Sequence, residues 1–110
     1  MTTLQDLVNN FYQKSSNAAI SDQEAQQMLD TIKASNNFYV RFDLINQLLS
    51  RYENILIIKS DLMKFEAIIN LLKAINNRWY VDKVNGELQI TDLGKSKLQP
   101  LFDKALQSLN

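Results

Sequence analysis

The pair Asn85-Gly86 lies between two apolar-alternating runs, "WYVDKV" and "ELQI", and limits what this chain can fold into more than any other feature. A two-residue connection of this kind calls for a type I′ turn, in which both central residues have positive φ, and asparagine and glycine reach that region at least cost. The short loop also fixes register. It pairs Val84 with Glu87 and Val81 with Ile90, so Trp79, Val81, Leu88 and Ile90 share one face of a hairpin over 78–91. Tyr80, Asp82, Glu87 and Gln89 share the other. The first face is expected to be the core face, with Trp79 buried against the helix before the hairpin.

The rest of the chain reads largely as helix. Leu4, Leu7, Val8, Phe11 and Tyr12 recur at helical spacing and predict a first helix ending near "KSSN", with a polar loop from Ser15 to Asn17. Ser21 followed by Glu24 has the form of a capping box and opens a second helix to about Ser35, buried through Ala25, Met28, Leu29 and Ile32. Phe38, Tyr39 and Val40 are β-prone and predict a short strand before a third helix, in which Phe42, Ile45, Leu48, Leu49 and Tyr52 share a face. The segment "ENILIIKSD" suits strand and helix equally, and its apolar run predicts a buried connection. Ser60 or Asp61 then caps a fourth helix to about Asn76, with Leu62, Phe65, Ile68, Ile69, Leu72 and Ile75 facing inward. Thr91 caps a last helix that Pro100 kinks or divides, after which Leu101, Phe102, Ala105, Leu106 and Leu109 continue an apolar stripe.

This order predicts a mainly α chain with a small β-hairpin, an α+β class. At 110 residues, 45% of them apolar and 22% charged, it fills one domain, 1–110. Within it, 1–20 form an N-terminal helix and loop, 21–92 a core, and 92–110 a C-terminal helix. The chain has no cysteine and no histidine, which removes disulfides, the thiolate nucleophile, the commonest general base and most transition-metal sites. Asp22 and Glu24 are explained by capping, and both glycines by structural needs, so no enzyme activity, metal or cofactor is expected. Twelve basic residues balance twelve acidic ones, so any nucleic-acid binding must come from a local patch. No apolar run approaches the ~20 residues of a membrane span, and "MTTLQDLVNN" lacks the regions of a signal peptide, so a cytoplasmic protein without membrane contact is expected.

Two segments carry a family resemblance. "LQITDLGKSKLQPLFDKAL" resembles the stretch after the wing in MarR-like and HxlR-like regulators of the winged helix-turn-helix superfamily, with Ile90, Thr91, Gly94, Leu98 and Pro100 in comparable places. "VRFDLINQLL" is similar to the start of the second helix in HxlR-like proteins, with the leucine at Leu44 one position early. The resemblance implies a winged helix-like domain flanked by N- and C-terminal helices. It also implies a dimeric transcriptional regulator that binds double-stranded DNA through the helix before the wing. The connection from Tyr52 to Ser60 is longer than the usual helix-turn-helix turn, and "INN" stands where these families often place glycine.

On that reading Lys59, Ser60 and Lys64 reach phosphates, Asn70 reads a base, and Lys73, Arg78 and Lys83 add contacts. No arginine lies on the outward face of the fourth helix. Its Met63, Ala67, Leu71 and Ala74 suit a protein partner equally well. A protein-binding winged-helix module, or a structural subunit that caps a larger partner without binding DNA, therefore stays open beside the DNA-binding regulator. The stripes of the terminal helices, Leu4, Leu7 and Phe11 with Leu98, Leu101, Phe102, Leu106 and Leu109, are expected to form a homodimer interface.

Overall fold

Short polar side chains decide where most of the helices begin. In the computed structural model, which describes residues 3–14 and 18–108, Thr3 and Asp6 bond each other's backbone N–H groups and open α1 (Leu4–Lys14). The Ser21 hydroxyl accepts from the Glu24 N–H and opens α2 (Asp22–Ala34). The Asn37 side-chain oxygen accepts from the N–H groups of Tyr39 at 2.9 Å and Val40 at 3.2 Å and opens α3 (Phe38–Arg51). That cap overrides the β propensity of Phe38, Tyr39 and Val40, so the short strand expected there is the first turn of a helix instead. The expected loop from Ser15 to Asn17 lies outside the described residues.

The fourth helix is in fact two. A seven-residue α4 (Leu56–Leu62) passes through a 3₁₀ turn (Met63–Phe65) into α5 (Glu66–Ile75). Ser60 and Asp61 cap neither: the Ser60 hydroxyl donates to the Ile57 carbonyl, and Asp61 pairs with Lys33 of α2 at 3.1 Å. Nor is "ENILIIKSD" a buried connection, since of its apolar residues only Ile58 is buried. On α5, Ile68, Leu71, Leu72 and Ile75 are buried, so Leu71 belongs to the core and not to the outward face.

The hairpin follows the sequence closely. Strands β1 (Val81–Val84) and β2 (Glu87–Ile90) pair antiparallel with Val81 opposite Ile90 and Val84 opposite Glu87, and Asn85 and Gly86 take φ of 52° and 83°. Trp79, however, precedes β1 in a turn, so the alternation that was to bury it does not extend that far. It is 70% exposed. The final helix α6 (Asp92–Gln107) starts at a Thr91 cap and runs unbroken past Pro100, which therefore does not divide it.

The terminal helices also depart from expectation. Leu4, Leu7 and Val8 of α1 and Leu98, Phe102 and Ala105 of α6 are buried in the same cluster as Phe42, Ile45 and Leu48 of α3 and Ile68 of α5. The Phe102 ring meets Phe38 edge to face at 5.9 Å. Phe11, Leu101 and Leu106 are half-buried against that core, while Leu109 lies outside the described residues. These stripes are consumed within one chain. A dimer built through Leu4, Leu7, Leu98 or Phe102 would have to open that core, which removes the surplus apolar surface on which the homodimer rested.

Gly94 packs its backbone against Tyr80, and a β-carbon there would collide with the Tyr80 carbonyl. Gly94→Ala is expected to lower stability by about 2 kcal/mol or more, measured by urea unfolding; an unchanged midpoint would mean that α6 and the turn are not in contact. Tyr12 donates its hydroxyl to the Ile75 carbonyl at 3.1 Å, and burial raises its pKa above the ordinary 10.0. The folded chain then holds that proton more tightly than the unfolded one. This contribution is present in full below about pH 10 and is lost as pH rises through the raised value. Tyr12→Phe should cost about 1 kcal/mol at neutral pH and make the alkaline loss of stability shallower.

Candidate functional site

All seven residues assigned to nucleic-acid contact are exposed, but they come from five separate pieces of the chain. Lys59 and Ser60 lie on α4, Lys64 in the 3₁₀ turn, Asn70 and Lys73 on α5, Arg78 in the turn before β1, and Lys83 on β1. The exposed stripe of α5 is narrow. It consists of Glu66, Asn70 and Lys73, spaced by four and three residues, with half-buried Ala67 and Ala74 beside it. A carboxylate therefore lies in the first turn of the helix before the hairpin, where a phosphate would approach. Among the described residues the ion pairs are Lys14 with Asp43 and Lys33 with Asp61, and neither involves the seven.

The feature that sequence reasoning missed lies one element earlier. Leu56 is 81% and Ile57 87% exposed on α4, and Met63 in the following turn is 56% exposed. Their exposure follows from how short α4 is: Ile58 and Leu62, one turn apart, face the core, and the opposite side of the same turns has nothing to pack on. Lys59 and Lys64 flank this side, while Asp61 is turned toward Lys33. The signal was present in the sequence, because a run of four apolar residues in a helix cannot all face one way.

A second exposed apolar residue stands at the hairpin base. The Trp79 N–H donates to the Asn77 side-chain oxygen at 2.9 Å, and its carbonyl accepts from the Thr91 hydroxyl at 2.7 Å, so the backbone under the indole is fixed while the indole is in water. Arg78, also exposed, adjoins it.

Among the described residues no group of three or more acidic, cysteine or histidine side chains is placed to hold a metal ion, and no helix is long and apolar enough to cross a membrane. Comparison of the chain with protein-family models, curated proteins and solved structures returns no match.

Trp79 is the only tryptophan in the chain. Acrylamide should quench its native-state fluorescence nearly as strongly as that of the unfolded chain, and clear protection in the native state would contradict the exposed placement.

Proposed function

We propose that this chain is a non-enzymatic protein-interaction module of winged-helix-like build. Its contact surface is the outward side of α4 and the turn after it. The observation that carries this reading is the exposure of Leu56, Ile57 and Met63 within eight consecutive residues, since soluble domains seldom leave large apolar side chains so concentrated without a use for them. Lys59 and Lys64 at its border suit a partner whose apolar groove is rimmed by carboxylates. They suit a second copy of this chain less well, because a two-fold contact centred on Ile57 would bring the Lys59 of each copy toward the other. The element order of helix, helix, helix and hairpin and the post-wing motif support the winged-helix part of the reading, with DNA binding as its competitor.

The test uses a photo-crosslinking residue at position 57, with position 99, an exposed site on α6, as control. Expected is a partner crosslinked from 57 and not from 99, whose binding to the purified chain is lost in the Leu56→Ser, Ile57→Ser double variant while the melting temperature holds. A titration with random duplex DNA decides against the competitor or for it. Binding that weakens steeply with salt, with no position-specific crosslink, would replace the protein-interaction reading. A crosslinked species of twice the chain mass would make the occupant a second copy.

A further inference from the structure

A cleft of about 320 Å³ opens between α1, α3 and α5, away from α4. Phe11, Leu49 and Leu72 give it an apolar floor, and Asn46, Ser50 and Lys73 give it polar groups. Asn46 sets it apart. It is 3% exposed and is the only buried polar side chain among the described residues, on the helical face that carries Phe42, Ile45 and Leu49. An amide in that position is costly unless it is bonded. Its Nδ2 donates to the Phe11 carbonyl at 3.5 Å, near the limit of a hydrogen bond. Because the partner is an acceptor, the nitrogen must face it, and the amide oxygen is left for something else. No fully buried side-chain oxygen or nitrogen lacks a partner among the described residues, so the Asn46 oxygen, which makes no bond there, reaches the cleft that its residue lines.

The cleft thus presents an acceptor, a cation and an apolar floor together. A ligand that answers all three has an N–H or O–H donor, an anion and an apolar side group on one small frame. The geometry points to a site for the C-terminal residue of a peptide with an apolar side chain. The free carboxylate pairs with the Lys73 ammonium, the amide N–H donates to the Asn46 oxygen, and the side chain lies on Phe11, Leu49 and Leu72. The volume suits one such residue and not a folded element. The site is separate from the α4 surface, and the experiment keeps the two apart.

The full chain is titrated by NMR with the acetylated tripeptide acid Ac-Gly-Ala-Phe, with its C-terminal amide, with Ac-Gly-Ala-Gly acid and with Ac-Phe alone. Expected is binding of the first with a Kd of about 1 mM or tighter, shifts centred on Phe11, Leu49 and Leu72, and at least about fivefold weaker binding of the amide and the glycine peptide. Lys73→Gln, a change at an exposed position, should erase the difference between acid and amide, and Ile57→Ser should leave every affinity unchanged. No shifts at about 10 mM peptide would overturn the site, as would equal binding of acid and amide. Ac-Phe binding as tightly as the tripeptide would overturn the peptide as its source. Loss of binding in Ile57→Ser would merge the two surfaces and refute their independence.

Discussion

The contact between the backbone of Tyr80 and the first turn of α6 holds the hairpin to the helices. Thr91 makes three bonds there. Its N–H donates to the Tyr80 carbonyl at 2.9 Å, its hydroxyl donates to the Trp79 carbonyl at 2.7 Å, and the same hydroxyl accepts from the Gly94 N–H at 2.9 Å. One side chain therefore closes the base of the hairpin and starts the helix. Glycine at 94 lets the two backbones meet, since any β-carbon there would overlap Tyr80. The direction of α6 is set by this joint, and with it the placement of Leu98, Phe102 and Ala105 against α5 and Phe38. Each hydrogen bond contributes only about 1 kcal/mol net, so the weight of the joint lies in the packing it makes possible.

A two-stranded sheet has two open edges, and both are managed here. Val84 and Glu87 flank the turn and face each other across the ladder, so Val81, Lys83, Leu88 and Ile90 turn their N–H and C=O groups outward. On the β2 side, Gln5 of α1 donates to the Leu88 carbonyl at 3.1 Å while also bonding Asn9. On the β1 side, the Val81 N–H donates to the Asn77 carbonyl and the Lys83 N–H to the Asp82 carboxylate. The outward donors of β1 are thus taken by its own chain, which discourages strand addition. The apolar face of α1 fills the core, and Gln5 on its polar side ties the helix to one outward carbonyl of β2.

What could be read in the sequence is what local chemistry decides. The Asn85-Gly86 turn, its register, and the Ser21 and Thr91 caps depend on neighbours within a few residues, and all are found as read. The readings that failed needed knowledge of what lies opposite. Phe38, Tyr39 and Val40 have β propensity, but a single cap from Asn37 outweighs it. Trp79 belongs to the hairpin by alternation and to a turn by hydrogen bonding. Leu4 and Leu98 look like surplus until the fold places both in one core. The individual polar residues of the candidate nucleic-acid face are exposed, but nothing local says whether they gather. The cleft draws on Phe11, Asn46 and Leu72, far apart in the chain, and its one legible trace is an asparagine on an apolar helical face.

The balance between the two kinds of partner turns on how α4 and α5 divide the surface. Helix α5 is used on most sides: α6 and α3 pack on it, Tyr12 of α1 bonds the carbonyl of Ile75 at its end, and four of its ten residues are buried. What remains outside is a line of three side chains that begins with a carboxylate, and Glu66 in the first turn of α5 sets a negative charge where an incoming phosphate would approach. Helix α4 is the opposite case. Of its seven residues only Ile58 and Leu62 are buried, and two equally large aliphatic neighbours stay in water. Burying each of those would be worth about 1.5–3 kcal/mol, a large share of the roughly 5–15 kcal/mol that hold a domain together. The fold does not recover that energy by itself, because the short helix has no second layer above it, so the gain is available only to a molecule that arrives from outside.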